Sequence, residues 1–329
     1  MNIDVIVIGG GPAGMFSAIT AAEQGSRVLL IESNNRLGKK LLITGKGRCN
    51  VTNNCSGEEA LQNTPRNGRF LYSAMQAYPP SRIIDFFEKH GCPLKTERGN
   101  RVFPVSDQAK SILECLQEQM RKWKVSVEYA KAQHILTEDG KVIGVQCNSK
   151  KYFAPNVILA TGGASYPTTG STGDGYRMAE ELGHTIISPV GSLVPLETAG
   201  DTCQRMQGLS LRNVAVKLLD AKGKTLYKDF GELLFTHFGI SGPLTLTMSC
   251  HLPDDLSEAS VTLNLKPGLT AQQLDARLHD SKIDTKFRSF FADAMLRFRK
   301  NKSSVFAAYI LLFLIIFSIL APMISPYEI

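Results

Sequence analysis

The sequence DVIVIGGGPAG, Asp4–Gly14, decides the fold of this chain of 329 residues. Val5–Ile8 is an unbroken apolar run, which is typical of a parallel strand buried on both faces. Gly9, Gly11 and Gly14 follow with the spacing G-x-G-x-x-G. In this pattern the first glycine permits a tight turn, the second lets a pyrophosphate approach the backbone, and the third lets a helix pack closely on the strand. The stretch therefore predicts the start of a dinucleotide-binding βαβ unit.

A helix and a second strand complete the predicted unit. The helix is expected from Pro12 to about Gln24, with its free N–H groups and positive dipole end facing the anion. Arg27–Ile31 is typical of a second parallel strand, so Glu32 follows at the end where an acid can bind ribose hydroxyls. The alternative is a βαβ turn without a ligand, which the complete order of elements disfavours. The candidate cofactor-binding residues of this unit are Gly9, Gly11, Pro12, Ala13, Gly14 and Glu32.

A loop rich in Gly, Lys, Arg and Asn follows the second strand, at residues 37–53. Backbone amides and cations in such a loop can lie along the phosphates and the ring edge of a cofactor. The alternative is a solvated basic loop without a ligand, but its position directly after the nucleotide motif favours binding. The candidate residues here are Lys40, Thr44, Gly45, Lys46, Gly47, Arg48, Cys49 and Asn50.

A second glycine-rich turn follows another apolar run, residues 156–160, which predicts a further parallel strand. A helix is expected from about Tyr176 to Leu182. Glycines at the carboxyl end of a strand let a ligand lie against bare backbone, where open α/β sheets bind their ligands. A turn without a ligand is the alternative. The candidate residues of this turn are Thr161, Gly162, Gly163 and Asp174.

From about Leu193 the sequence has short alternating patterns of apolar and polar residues, which predict a β-rich second domain. His237 lies there between glycines, and imidazole titrates near neutrality, so it is a candidate general acid or base. A histidine that only forms hydrogen bonds within its loop is the alternative.

Seven cysteines are scattered along the chain, and none forms a C-x-x-C pair. This pattern predicts reduced thiols in a cytosolic compartment, and neither a metal site nor a redox-active dithiol. The first predicted strand begins at Val5, which leaves no room for a signal peptide before it.

The net charge of +7 is concentrated near the C-terminus. Seven Lys and Arg residues and only two Asp residues lie between Lys282 and Lys302. The basic cluster directly precedes Val305–Met323, a stretch of 19 residues without a charge. At about 1.5 Å per residue this stretch can cross a hydrocarbon core of about 30 Å. The pattern predicts a transmembrane helix with its N-terminal side in the cytoplasm, and it favours a membrane partner over nucleic acid.

The first 280 or so residues resemble the BaiN-like, or aminoacetone-oxidase-type, flavoproteins. The resemblance rests on the glycine motif already described and on two more specific blocks, GKGRCNVTN at residues 45–53 and FTHFGISGP at residues 235–243. It implies FAD as the cofactor and an α/β, Rossmann-like FAD-binding domain with a β-rich inserted domain. Members of that family are longer, and their chain returns after the insert with a glycine-rich segment that closes over the flavin. The match to this chain ends near Ser281, so the insert is expected to be incomplete.

The last 45 or so residues resemble the N-terminus of an OppC-type permease subunit of an oligopeptide ABC transporter. The resemblance rests on the basic flank, the apolar run and the sequence APMISPY, residues 321–327. The predicted regions are an FAD-binding domain, a truncated insert, a basic juxtamembrane segment, a transmembrane helix and an outside tail, at residues 1–192, 193–281, 282–302, 303–324 and 325–329.

Three functional hypotheses follow. The first is an FAD-dependent oxidoreductase that transfers hydride to or from flavin N5 on a small-molecule substrate. It would be tethered to the bacterial inner membrane, or cytoplasmic if the tail is an artefact. The second is a membrane component that docks on ABC-transporter subunits. The third is an inactive chimera of a truncated flavoprotein and a truncated permease.

Overall fold

A computed structural model describes residues 2–253, 256 and 259–280 of the chain. One compact unit comprises the described residues of 2–212 and 216–263, and the described part of the other comprises Asn213–Ala215 and residues 264–280. The predicted membrane span, Val305–Met323, lies outside the described residues. Within the described ranges, no helix combines the length and the apolar character needed to cross a bilayer.

The described residues form helices and short strands. The helices are α1 Pro12–Glu23, α2 Gly57–Gln62, α3 Tyr72–Ala77, α4 Pro80–Lys89, α5 Ala109–Lys122, α6 Asp174–Glu181, α7 Thr202–Arg205, α8 Pro243–Ser249 and α9 Ala271–Asp280. The strands are β1 Val5–Ile8, β2 Val28–Glu32, β3 Thr52–Asn53, β4 Leu94–Glu97, β5 Arg101–Pro104, β6 Ser126–Tyr129, β7 Ala132–Glu138, β8 Lys141–Cys147, β9 Lys150–Phe153, β10 Asn156–Leu159, β11 Leu196–Glu197, β12 Ser210–Leu219, β13 Thr225–Phe235, β14 Gly239–Ser241 and β15 Ser260–Asn264.

The central sheet has the strand order β10-β1-β2-β6, and all its neighbours are parallel. From β1 the chain first extends the sheet on one side, through β2 and β6, and later returns to the other side with β10. This reversal beside β1 is a topological switch point, and open α/β sheets bind ligands in the crevice at its carboxyl end. The predicted Rossmann-like architecture is therefore present.

The two faces of the central sheet pack against different layers, because successive side chains point to opposite faces. One face packs on α1, α4 and α5, and its core strand residues are Val5, Val7, Val28 and Leu30. The other face packs on β7, β8 and α6, and its core strand residues are Ile6, Ile8, Leu29 and Ile31. The unbroken apolar runs of β1 and β2 are thus explained by burial on both sides.

The glycine turn after β1 brings α1 into close contact with the sheet. Gly9 has a φ of 110°, a left-handed conformation that favours glycine. A Cβ on Gly14 would lie 1.8 Å from the carbonyl oxygen of Gly9, so only glycine fits there. A Cβ on Gly11, in contrast, would meet no atom within 4 Å. The third glycine of the motif serves packing, and the second leaves open space.

Three further sheets have the orders β3-β5-β4, β7-β8-β9 and β11-β14-β13-β12-β15. The first two are antiparallel, and so are the pairs of β14 with β11 and β13 in the third. The turn at Asp139 and Gly140 connects β7 to β8, and both residues have positive φ, as a type I′ hairpin requires. The strands β4, β5 and β13 and the helix α8 have no predicted counterpart. Helix α6 begins at Asp174, two residues earlier than the sequence pattern indicates.

The described part of the second unit contains α9. Thr270 Oγ1 accepts a hydrogen bond of 3.2 Å from the Gln273 amide, and Gln273 Oε1 accepts one of 2.9 Å from the Thr270 amide. This reciprocal pair is a capping box, which satisfies two backbone donors at the start of the helix.

Serine substitutions at two glycines of the motif should distinguish the glycine that packing requires from the glycine that has open space beside it. We expect Gly14→Ser to lower the free energy of unfolding by about 2–3 kcal/mol, because its Cβ overlaps a backbone carbonyl that cannot move independently. The matched variant Gly11→Ser should change it by less than about 0.5 kcal/mol, since serine suits the N-cap position and its side chain has space. Urea denaturation followed by circular dichroism measures both. Equal destabilisation of the two variants would contradict this assignment.

Candidate cofactor site

A cavity of about 530 Å³ opens at the carboxyl ends of β1, β2 and β10. Its floor is the glycine turn and the first residues of α1. The cavity lies at the switch point of the sheet, where the topology predicts a ligand. Of the candidate residues it is lined by Gly9, Gly11, Pro12, Ala13, Glu32, Lys40, Thr161, Gly162 and Asp174.

Glu32 lies at the wall of this cavity with only 6% of its surface exposed. Its Oε2 accepts a hydrogen bond of 2.6 Å from the Gly10 amide, and its Oε1 accepts bonds of 2.6 Å from the backbone and side-chain nitrogens of Asn34. The carboxylate thus fixes the glycine turn to the end of β2. The predicted contact of this carboxylate with a ribose hydroxyl stays a prediction.

Three lysines give this cavity positive charge. Lys40 Nζ donates to the Ser165 carbonyl oxygen at 2.7 Å, and Lys39 Nζ donates to Asn34 Oδ1 at 3.2 Å. Lys131 Nζ lies 3.4 Å from the carboxylate of Asp174. Together with the amino end of α1, these cations favour an anionic ligand such as a diphosphate.

Asp174 is the first residue of α6 and remains an anion at neutral pH. A hydrogen bond from Thr172, and after it Lys131 and Arg177, hold the pKa of this carboxyl below its usual range. Its position in the first helical turn is favourable for a negative charge. It is therefore an acceptor at the cavity wall.

A second cavity, of about 380 Å³, lies on the other side of the start of α1. It shares Pro12, Ala13 and Lys40 with the first cavity. The candidate residues Thr44, Cys49 and Asn50 line it together with an apolar wall, which consists of Phe16, Leu41, Val51, Tyr78, Ile83, Phe87, Ile112 and Leu116. Apolar and aromatic walls with a few polar groups are typical of sites for flat organic rings.

Cys49 contributes a neutral surface to this second cavity. Burial raises the pKa of its thiol, so the thiolate is disfavoured at neutral pH. A nucleophilic role for Cys49 is therefore disfavoured, and its side chain acts as a small apolar group.

Several candidate residues line neither cavity. They are Gly14, Gly45, Lys46, Gly47, Arg48 and Gly163. Gly45 and Lys46 form a kink between two short 3₁₀ turns of residues 41–47, and Arg48 follows them. The Arg48 guanidinium pairs with Glu97 and Asp107 instead of facing either cavity. For these residues a cofactor contact stays a prediction.

His237 is exposed in the turn between β13 and β14. Its ring packs edge-to-face on Phe238, with 4.9 Å between the ring centroids. It lines neither of the two cavities. Its predicted role as a general acid or base is therefore not supported by proximity, and it stays a prediction.

Some lining residues have no predicted counterpart, namely Asn34, Lys39, Lys131, Ser171, Tyr176 and Tyr78. Asn34 and Lys39 lie within seven residues of Glu32, so proximity in sequence to the predicted ribose-binding acid was a usable signal. Lys131 comes two residues after the end of β6, at the same carboxyl edge of the sheet as the motif. The other three residues carry no comparable signal.

The two cavities fit an extended dinucleotide. Each lies within the range of about 300–1,000 Å³ that is usual for ligand sites. The space beside Gly11, where a Cβ would meet nothing, allows a diphosphate to approach the backbone at the start of α1. A cavity lined by three lysines on one side and a cavity with an apolar wall on the other match a nucleotide and an aromatic ring system.

Comparison with known proteins identifies the family. Residues 3–250 match the family described as HI0933-like protein Rossmann domain. The 3-dehydro-bile acid delta(4,6)-reductase of Clostridium scindens is 32% identical over 82% of this chain and 66% of its own length. The ribosomal RNA dihydrouridine synthase of Escherichia coli is 31% identical over 81% of this chain and 64% of its own. The chain thus spans slightly less than two thirds of these relatives.

Structural comparison gives more distant neighbours. The open conformation of a flavocytochrome c3 fumarate reductase is 17% identical over 67% of this chain and 53% of its own, with a TM-score of 0.49.

The C-terminal region matches a different family. Residues 289–329 match the N-terminal TM domain of oligopeptide transport permease C, as the second resemblance predicts. The matched residues lie outside the described part of the structure.

The family match covers both the glycine motif and the loop of residues 45–53. Together with the named relatives, it confirms FAD as the cofactor. The chain belongs to the HI0933-like family of Rossmann FAD-binding proteins.

Proposed function

We propose that this protein is an FAD-dependent reductase that adds hydride to a carbon–carbon double bond conjugated with a carbonyl group. The observation that carries the proposal is the pair of cavities at the start of α1, in a chain related to two reductive enzymes. One cavity is lined by three lysines and the glycine turn, and the other has an apolar wall. The cofactor supplies hydride at flavin N5, and the protein supplies binding and orientation.

The names of the two relatives favour this substrate class. One is a delta(4,6)-reductase of 3-dehydro-bile acids, and the other is a synthase of dihydrouridine. A dienone and a uracil ring are both electron-poor alkenes, and each accepts hydride at the carbon β to its carbonyl group. A proton then adds at the α carbon, which completes the reduction. We favour a small enone as the substrate, because the excess positive charge of this chain lies mainly near its C-terminus.

The described residues divide the binding task between the two cavities. The α1 amides with Lys39, Lys40 and Lys131 would hold the diphosphate, and Glu32 would hold the adenosine ribose. The apolar wall around Tyr78 would exclude water from one face of the ring system. No side chain near either cavity is assigned as the proton donor.

A half-reaction measures this activity without the physiological electron donor. We expect protein loaded with FAD and reduced by dithionite under nitrogen to regain the oxidised flavin absorption when a 4,6-dien-3-one steroid is added. The saturated 3-oxo steroid is the matched control, and it should leave the flavin reduced because it has no alkene to accept hydride.

Two other outcomes would change this assignment. Reoxidation by ribosomal RNA that lacks dihydrouridine, and not by the dienone, would move the substrate to uridine in RNA. Protein that stays colourless after incubation with FAD would instead favour the chimera and contradict a flavin-dependent reaction.

We further propose that residues 303–324 attach the flavin-binding part to the bacterial inner membrane from its cytoplasmic side. The similarity of residues 289–329 to a transmembrane domain and the uncharged stretch Val305–Met323 support this attachment. Basic residues before an apolar span favour the cytoplasmic side. The same similarity suggests a more specific hypothesis, that the chain docks on oligopeptide-transporter subunits. Co-purification in detergent with such subunits would test it.

Cell fractionation tests the attachment. We expect the full chain in the membrane fraction to resist an alkaline wash. Leu314→Arg should release the chain into the alkaline supernatant, because inserting a charge at the centre of a span costs about 3 kcal/mol or more. Leu314→Ala, which removes bulk without adding charge, is the matched control and should stay with the membrane. Release of all three chains by the wash would contradict a spanning helix.

A further inference from the structure

We propose that Arg48 is a positioning residue, which holds the loop of residues 44–50 against the hairpin formed by β4 and β5. The loop then presents Thr44, Cys49 and Asn50 to the second cavity. This inference rests on the proposed use of that cavity for FAD. It gives Arg48 a role different from the direct cofactor contact that the sequence predicts.

The guanidinium of Arg48 is bound to three parts of the hairpin at once. Its Nε donates a hydrogen bond of 2.8 Å to Asp107 Oδ1, in the turn after β5, and a terminal nitrogen pairs with Glu97 Oε1 on β4. Its Cζ lies 4.2 Å from the centroid of the Phe103 ring on β5. Arginine suits this place, because its planar fork can bind carboxylates at its edge and stack on an aromatic ring with its face.

Lys95 completes a cluster of two cations and two anions. Its Nζ lies 2.6 Å from Asp107 Oδ2 and 3.6 Å from Glu97 Oε1. Hydrogen bonds from Arg48 lower the pKa of Glu97, and hydrogen bonds from Lys95 and then Arg48 lower the pKa of Asp107. Both carboxyl groups are therefore charged at neutral pH. The side chains are about one third to one half exposed, so a single ion pair contributes little to stability. The stabilisation comes from the network of four charged groups.

The loop needs such an anchor because its backbone is unfavourable. Lys46 and Cys49 have φ angles of 60° and 62°. Left-handed conformations cost roughly 1 kcal/mol or more at a non-glycine residue. At the end of the loop, the Val51 amide donates a hydrogen bond of 2.8 Å to the Val102 carbonyl, and Arg48 adds the side-chain attachment. Without Arg48, we expect the lining conformation to be populated for a smaller fraction of the time.

This population determines ligand affinity. If only a fraction of the molecules is competent to bind, the apparent dissociation constant rises by the inverse of that fraction. A loop that keeps its lining conformation one tenth of the time would therefore bind FAD about tenfold more weakly. The competing role, a direct ion pair between Arg48 and the cofactor, would instead require the guanidinium to leave Glu97 and Asp107.

Titration of the full-length apoprotein with FAD distinguishes the two roles. Positioning predicts that Arg48→Met and the pair Glu97→Gln with Asp107→Asn each weaken binding by about tenfold or more. Combining all three changes should weaken it no further, because each removes the same anchor. Arg48→Lys should restore part of the affinity. Arg101→Met is the matched control: Arg101 Cζ lies 5.8 Å from the same Phe103 ring, and this variant should bind FAD like the wild type.

A second readout does not depend on FAD. Cys49 is 6% exposed in the structure, so maleimide should label it slowly in the wild type. We expect Arg48→Met to label at Cys49 about tenfold faster, as identified by peptide mass spectrometry, while Cys147 in β8 keeps its rate. Circular dichroism confirms that each variant is folded.

The outcomes separate this proposal from the proposed function. If the Glu97 and Asp107 variant binds FAD as tightly as the wild type while Arg48→Met does not, Arg48 contacts the cofactor directly and positioning is wrong. If Cys49 labels at the wild-type rate in Arg48→Met, positioning is also wrong. A wild type that binds no FAD but shows the predicted labelling would refute the proposed function and leave the anchor role supported.

Discussion

The contact between Gly14 and the carbonyl of Gly9 is the constraint on which the site depends. With no Cβ at Gly14, α1 starts directly against the end of β1, and its free amides face the crevice of the sheet. Hydrogen bonds from Gly9 to the Ile31 carbonyl, at 2.8 Å, and from Gly10 to Glu32, at 2.6 Å, fix the same turn to β2. The amino end of the helix, the acid and the cavity therefore keep one geometry, which an extended dinucleotide can use.

The two sides of this helix start offer different chemistry. On one side, three lysines and the glycine turn line a cavity, and on the other, an apolar wall meets the loop of residues 44–50. A cofactor with a charged diphosphate between an adenosine and an aromatic ring system needs this division. The loop is the less regular part of the site, and its attachment to the β4–β5 hairpin by charged groups gives the protein a means of setting affinity without touching the ligand.

The sequence predicts the central part of the fold because its signals are local. The apolar runs of β1 and β2 and the glycine spacing each lie within about a dozen residues. The hairpin of β4 and β5 has no such signal, since its strands have four residues each and carry charged side chains. The orientation of Arg48 could not be predicted either, because its partners Glu97 and Asp107 lie 49 and 59 residues away. A basic residue in a glycine-rich loop favours a phosphate contact until its long-range partners are known.

A crystal structure of the protein with FAD tests the central claim most directly. The account predicts electron density for the diphosphate within hydrogen-bond distance of the amides that follow Gly11. It also predicts the adenosine ribose near Glu32, and the ring system beside Thr44 and Asn50. Density for FAD elsewhere on the protein, or a diphosphate held only by side chains away from α1, would contradict the account.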